Sequence, residues 1–360
     1  MEIIHFNTQK DWRGGENQLS LLMKELKQND IKQILLCRKN SKLEAYAIEK
    51  KINFYSFQIK FYNLIYVSYK LYKILSHKKN TILHCHDSKS HTIALITKMI
   101  LQSNCKIIVD RKVIFPIKGW FSKKIKYSSK YVNSIICTSN AVKNIVLEST
   151  NNKNIIVIGD MIMPNNFPKG TILKSKYNIQ NHYKIGYIAA MTSEKDHYTF
   201  LKTAKEINKI NPEIGFVLIG DGKLFNEIKA YSKKLQLENN VNFLGFVSNV
   251  SELINEIDLL LFTSISEGLG STILDFFMAK KPVVTVKNGG SEELVFQNKT
   301  GLISNKKDYK SLADNCLTFF SNISFTKLIC KNAFEFAVNN FSSNSITKKI
   351  IAEYEKVLTK

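Results

Sequence analysis

From Ser264 to Leu302 the chain reads SISEGLGSTILDFFMAKKPVVTVKNGGSEELVFQNKTGL. Just before it, the apolar run from Ile257 to Phe262 has the length and continuity of a strand buried on both faces of a parallel sheet. A loop with Glu267, Gly268 and Gly270 follows. A helical run comes next, Ser271 to Ala279, closed by Lys280-Lys281-Pro282. A second buried strand, Pro282 to Val286, ends in Asn288-Gly289-Gly290, and Ser291 is expected to open another helix. Two strand–glycine-loop–helix units in tandem predict an α/β fold and a place for an anion. Backbone N–H groups converge at a helix start, and the macrodipole adds about half a positive charge there. Glycine lets the backbone come close to a ligand with no Cβ in the way. Glu267 and Asp275, eight residues on, cannot help to hold phosphate. They are read as hydroxyl holders, Glu267 for a sugar and Asp275 for a ribose.

This pattern resembles the retaining glycosyltransferases built of two Rossmann-like domains (GT-B), in the large set called group 1 or family 4. Their signature is a Glu, seven residues, a second Glu, a helix of small residues, Pro-Val-Val and Gly-Gly-x-x-Glu. Here it reads Glu267, Asp275, Ala279, Pro282-Val283-Val284 and Gly289-Gly290-Ser291-Glu292-Glu293, trailed by Thr300-Gly301-Leu302. Asp275 is a shorter arm toward the ribose than the usual Glu. The resemblance is firm over 184–305 and looser but continuous over 1–160. It implies two doubly wound Rossmann-like domains facing across a cleft, with the last helix crossing back. The expected division is an acceptor-binding domain at 1–165, a linker at 166–182, a nucleotide-sugar domain at 183–341 and a returning helix at 342–360.

Bulk properties agree with a two-domain globular protein. The chain has 360 residues, 44% hydrophobic and 23% charged, which is ordinary for globular proteins. No apolar run reaches the length that spans a bilayer, and MEIIHFNTQKDW shows no basic region followed by an apolar one, so no secretory signal is expected. Six scattered cysteines without a Cys-x-x-Cys pair read as reduced core residues of a cytoplasmic protein. The net charge of +22 is unevenly placed: residues 1–170 hold 28 basic and 11 acidic side chains. Such a field favours an anionic membrane surface, a polyanionic glycan or nucleic acid. A peripheral seat on the inner face of the membrane is the expectation drawn, with no nucleic acid. Only three basic residues are Arg, so a Lys-rich composition can supply much of the charge without a function attached.

Taken in order, Glu2–Phe6 reads as a strand, NTQKDWRGG as a loop and Glu16–Leu26 as a helix. In the resembled family this first loop carries paired glycines beside donor phosphates and acceptor, which implies such a role for Arg13, Gly14 and Gly15. Arg13 suits a two-pronged contact. Strands at 31–37, 53–57, 81–85 and 105–110 alternate with helices at 41–51, 62–76 and 89–101. The 62–76 helix, aromatic and apolar, reads as core or partner-facing, with core preferred.

His84 and His86 share one face of a strand end. A metal there would need further ligands, and none is evident nearby. The resemblance puts His86 or Asp87 toward an acceptor or donor sugar, with Ser90-His91 following; a histidine satisfied by backbone is the other reading. Arg111 and Lys112 end the next strand, where part of the family has two basic residues able to neutralise a phosphate. Lys118 to Tyr127 has the composition of an interfacial helix; a solvated helix with an apolar underside is the other reading. Thr138-Ser139-Asn140 reads as a helix start after a strand at 133–137. Pro164, Pro168 and Gly170 mark the interdomain connection.

In the second half, Lys195 matches the family's phosphate-binding Lys, whereas Ala190 stands where an Arg is usual; Arg13 or Arg111 is the candidate substitute. Gly220-Asp221-Gly222 matches a Gly-x-Gly turn. Gly245 and Phe246 fall in the loop that lies beside the nucleobase in the family. The amides of Gly268, Leu269, Gly270 and Ser271 are expected on the pyrophosphate, with Asp275 on the ribose. No Asp-x-Asp occurs, so no metal and no cofactor is expected. The implied reaction moves a hexose-type sugar from a nucleotide sugar, UDP by family frequency, to a lipid-linked or saccharide acceptor. Bacterial lipopolysaccharide or other surface polysaccharide is the implied product. Glu267, Lys195, His86 and Arg111 are the candidate catalytic residues. The alternatives are a nucleotide-sugar 2-epimerase of the same fold and a non-catalytic binder of nucleotide sugar or nucleic acid.

Overall fold

The computed structural model of the chain describes residues 1–162, 167–168 and 170–359. It divides into two compact units, Met1–Met161 with Ser343–Lys360, and Ile162–Ser342. The expected boundary at 165–166, with Pro164, lies outside the described residues.

The first unit holds a seven-stranded sheet: β1 (Glu2–Phe6), β2 (Lys32–Arg38), β3 (Phe54–Phe57), β4 (Thr81–Cys85), β5 (Lys106–Arg111), β6 (Ser134–Cys137) and β7 (Ile155–Val157). Every pair is parallel, in the order β3-β2-β1-β4-β5-β6-β7. Its helices are α1 (Gly14–Gln28), α2 (Lys42–Glu49), α3 (Leu64–Leu75), α4 (Ser88–Ile100) and α5 (Asn140–Ser149). The chain's last helix belongs to this unit as well. The second unit holds six parallel strands: β8 (Tyr183–Ile188), β9 (Ile214–Ile219), β10 (Val241–Gly245), β11 (Leu259–Phe262), β12 (Val283–Val286) and β13 (Leu302–Ser304). Their order is β10-β9-β8-β11-β12-β13. Its helices are α6 (Ile172–Ser175), α7 (His197–Ile210), α8 (Phe225–Lys234), α9 (Ser251–Ile254), α10 (Ser271–Met278), α11 (Tyr309–Ser321) and α12 (Ile323–Phe341), and α13 (Ser343–Thr359) returns to the first unit.

Burial explains why the runs become central strands. All six residues of β9 and all four of β11 are buried, as a strand covered by helices on both faces must be. All six cysteines are free, and all but Cys105 are buried. Among the described residues no helix is long and apolar enough to cross a membrane. Each sheet reverses its strand order once, between β1 and β4 in the first unit and between β8 and β11 in the second. In open parallel sheets such a reversal leaves a crevice at the strands' carboxyl ends.

Four local expectations are corrected. Ser291 opens only a single 3-10 turn, Ser291–Glu293. Its hydroxyl donates to the Val286 carbonyl at 2.7 Å and its N–H to the Asn288 carboxamide at 2.9 Å, and Leu294 and Val295 then drop into the core. Lys118–Tyr127 is not one regular helix; its helical part is short, 120–126, with a π-turn at Ser122–Lys126 and Trp120 and Phe121 exposed. Lys126 is buried and donates to the carbonyl and hydroxyl of Ser88 at 2.8 and 2.9 Å, so the segment is tied to the start of α4. Gly14 and Gly15 lie in the first turn of α1 rather than in the loop before it. Residues 171–181 are packed into the second unit: Leu173 and Ile179 are in its core, and Glu256 accepts the N–H groups of Ile172 and Leu173 at 2.6 and 2.9 Å.

Candidate functional site

In the second unit the loops after β8 and β11 flank the strand reversal, and hydrogen bonds lock them together. Ile265 N–H and the Ser264 hydroxyl both donate to the Glu194 carbonyl, at 2.9 and 3.0 Å. The Thr263 hydroxyl reaches the Asp196 carbonyl at 3.1 Å. The buried Tyr187 hydroxyl donates to the Lys195 carbonyl at 2.8 Å. Its own ionisation is pushed well up, by burial first and then by the charge of Glu267. The Lys195 backbone is thus held by two strands. Its ammonium forms an ion pair with Glu267, with 22% and 14% of the two side chains exposed. Both charges remain reachable from solvent.

Glycine shapes the wall behind this pair. A Cβ on Gly290 would come within 2.7 Å of the Glu267 carbonyl and of Gly268, so only glycine lets the two loops lie this close. Gly289 forms a parallel bridge with Glu267, and the Asn288 carboxamide donates to the Ser264 carbonyl at 2.8 Å. Gly270 caps α10 from the left-handed region, with φ 93° and no capping side chain. The first N–H groups of a helix lack the usual intrahelical acceptors; the glycine cap supplies no side chain, and Ile273 N–H turns to the Gly270 carbonyl at 2.9 Å. Gly268 and Leu269 are buried, the leucine side chain in the core, so only the leucine backbone is available to a ligand. Asp275 lies in the second turn of α10, half-buried. Gly245 ends β10 with φ 67°, and Phe246 beside it is 73% exposed.

In the first unit the reversal brings β1 and β4 side by side, His5 opposite His84. A third imidazole, which the sequence did not reveal, therefore joins His84 and His86. Nitrogens of the three lie within 4.8 Å of one another, correcting the expectation that no further ligand stands nearby. Every ring nitrogen has a hydrogen-bond partner. Asp110 meets His84 Nε2 and His86 Nδ1 at 2.8 Å each. His84 Nδ1 meets the Tyr354 hydroxyl at 2.7 Å, His86 Nε2 meets His5 Nδ1 at 3.0 Å, and His5 Nε2 meets Gln33 Oε1 at 3.1 Å. The donor set is that of a hydrogen-bonded chain. Burial, then His84, pushes His86 down to about 4. Burial works against the Asp110 charge, but His84 and His86 outweigh it and hold its carboxyl well below the usual range.

The remaining candidates separate. Asp87 is the N-cap of α4; its carboxylate accepts from Lys89 and Ser90 N–H at 2.8 and 3.0 Å and from Thr8 N–H and hydroxyl at 2.6 and 2.7 Å. It clamps the β1 loop and is not free to face a sugar. Arg111 uses its terminal nitrogens on the Tyr127 hydroxyl, at 3.2 Å, and the Phe115 carbonyl. It braces the loop after β5, a different post from neutralising a phosphate. Lys112 is paired with Asp160 at 3.0 Å. Arg13 is exposed at the N-cap of α1, and a Cβ at Gly14 or Gly15 would meet nothing within 4 Å. Neither glycine has a positive φ. Packing and backbone strain therefore do not call for glycine at either position.

Comparison with known proteins supplies two family matches. Residues 171–335 match "Glycosyl transferases group 1" and residues 12–162 match "Glycosyltransferase Family 4". Poly(ribitol-phosphate) alpha-N-acetylglucosaminyltransferase of Staphylococcus aureus (strain COL) is 24% identical over 80% of this chain and 58% of its own length. N-acetyl-alpha-D-glucosaminyl L-malate synthase of Bacillus anthracis is 25% identical over 87% of this chain and 83% of its own. The chain spans about three fifths of the length of several curated relatives that it matches. The crystal structure of Anabaena HepE in complex with UDP superposes with a TM-score of 0.86 at 18% identity, covering 99% of this chain and 100% of that one.

Proposed function

The chain belongs to the group 1, family 4 glycosyltransferases of GT-B fold, and from that premise we propose that it transfers a hexose-type sugar from a UDP-sugar to an anionic glycan or lipid-linked acceptor, with retention at the anomeric carbon. The observation that carries this reading is the Lys195–Glu267 pair beside the open start of α10. The ammonium and the α10 amides suit a pyrophosphate. Glu267 then turns to the sugar hydroxyls, Asp275 to the ribose, and the exposed Phe246 to the base. UDP is supported by its presence on HepE.

In the proposed step the bond from the anomeric carbon to the β-phosphate oxygen breaks, and the positive charge develops on the sugar. The acceptor hydroxyl attacks the same face, and its proton passes to the departing phosphate oxygen. Lys195 and the amides stabilise that oxygen, so the charge of the leaving group is met without a divalent ion. The acceptor side falls to the first unit, where His86 and the bare backbone of Gly14 and Gly15 stand at loop ends. An anionic acceptor fits the excess of basic residues there and the poly(ribitol-phosphate) named for the S. aureus relative. Surface-glycan synthesis is the setting that this chemistry favours.

A thermal-shift panel of nucleotide sugars, followed by transfer assays with the best donor, tests the reading. Lys195→Ala and Glu267→Gln are expected to lower kcat by about 10²–10³ each, as for loss of one preorganised charge-stabilising group. Wild-type rates in both variants would remove its basis. Conversion of the donor with no acceptor present would point to epimerisation instead.

A further inference from the structure

Helix α3 carries an outer face unlike that of a solvated helix. Its inner face, Val67, Ser68, Leu71 and Leu75, is buried. The Ser68 hydroxyl donates to the Ile93 carbonyl of α4, and the Thr97 hydroxyl to the Ser68 carbonyl, each at 3.3 Å. On the other side Ile65, Tyr66 and Tyr69 are 69, 58 and 44% exposed, and Tyr62, in the 3-10 turn that leads into the helix, is 79% exposed. The spacing of 65, 66 and 69 lines them up as one stripe on α3. Charged or polar residues are the rule on a water-facing helix side, and a contiguous exposed apolar patch marks an interaction surface.

Lysines border the stripe. The ammonium groups of Lys60, Lys70 and Lys73 lie 5.4, 5.4 and 4.8 Å from the ring centres of Tyr62, Tyr66 and Tyr69. Among the described residues these three form no salt bridge. A groove of about 750 Å³ runs beside them between α3 and the edge strand β3, with Lys39 and Tyr55 on its far wall. The surrounding sequence has one sign: residues 50–86 contain seven lysines and neither Asp nor Glu.

We propose that this face of α3 and the groove beside it dock on an anionic lipid bilayer. The occupant has to take Ile65 and three tyrosine rings into an apolar layer and meet the lysines with negative charge at the same depth. The headgroup zone of a bilayer rich in anionic lipid offers both. Lysine stems lie along the rings while their ammonium ends stay among the phosphates. Nucleic acid satisfies the lysines and leaves Ile65 in water.

Co-sedimentation of the full chain with vesicles tests this without donor or acceptor, so it stands or falls apart from the sugar-transfer reading. Binding is expected to vesicles containing a third phosphatidylglycerol and not to pure phosphatidylcholine, and it weakens as salt rises. Each lysine is worth about fivefold, so K60Q/K70Q/K73Q is expected to lower partition about 100-fold. Y62S/I65S/Y66S is expected to abolish what binding survives in high salt. Both variants keep the wild-type unfolding midpoint, since the altered side chains are exposed. A wild-type protein that stays in the supernatant overturns the proposal, as do variants that sediment like wild type. Loss of a dimer or of nucleic-acid binding in the variants, with vesicle binding unchanged, assigns the face to another partner and equally overturns it.

Discussion

Three contacts join Gln33, His5, His86 and Asp110, and two imidazoles must supply their protons. Gln33 is oriented by donating its amide to the Met23 carbonyl at 3.0 Å, so it offers His5 only an oxygen. Asp110 offers His86 only oxygens. Two neutral imidazoles bring two N–H groups to three gaps. Full bonding needs one imidazolium, which burial opposes: His5 is pushed well below its usual value, by burial first and then by His86. A carboxylate at position 33 would favour the missing proton from the other end. Gln33→Glu is therefore expected to raise the His86 titration from about 4 by roughly one unit or more. Imidazole ¹⁵N shifts followed against pH report it; an unmoved titration would show that the proton count does not govern the pair.

At the scale of single elements, caps and loop ends decide what side chains are free to do. Asp87 sits on a strand end, where a carboxylate invites a catalytic reading, and instead serves four donors that start α4 and fix the loop after β1. Its removal leaves buried donors without an acceptor. Asp87→Ala is expected to cost about 1–3 kcal/mol of stability, read as a lowered urea midpoint, while Asp87→Asn keeps part of it. An Ala variant with the wild-type midpoint would return Asp87 to the list of residues free for substrate. Ser291 and Lys126 teach the same lesson in reverse. Each stands where the local pattern predicts a helix, and each is drawn off by a specific acceptor, the nearby Val286 carbonyl for the first and the distant Ser88 for the second.

Across the whole molecule, buried histidines in both units set the response to acid. Burial holds His91 at about 3 and His86 at about 4 in the first unit, and His197 at about 4 in the second. All three lie below the ordinary value of 6.5, so folding favours the neutral ring. Their contribution is complete above about pH 6.5 and is lost as pH falls toward 4, because the unfolded chain takes up those protons first. Asp110, held low by His84 and His86, adds a loss below the usual carboxylate range. Urea midpoints are expected to hold between pH 7.5 and 6.5 and to fall through 5.5 to 4.5, in both units. A midpoint constant over that interval would show that these rings are not buried neutral.

The amino-acid sequence by itself determined the alternation of strands and helices, and the loop with Glu267, Gly268 and Gly270 between a buried strand and a helix. It did so because burial on both faces leaves continuous apolar runs and helical burial leaves a periodic stripe, both written in neighbouring residues. Only the tertiary structure decided which distant residues meet. Lys195 reaches Glu267 because β8 and β11 are neighbours in a sheet whose order reverses there. His5 joins His84 and His86 through the β1–β4 register, and Tyr354 closes on His84 from the far end of the chain. The same packing turned the inner side of α3 to the core and left Tyr66 and Tyr69 outside, where the 62–76 run by itself read as core or partner-facing. Sequence spacing carries no record of strand order, and pairing across it is settled only when the sheet assembles.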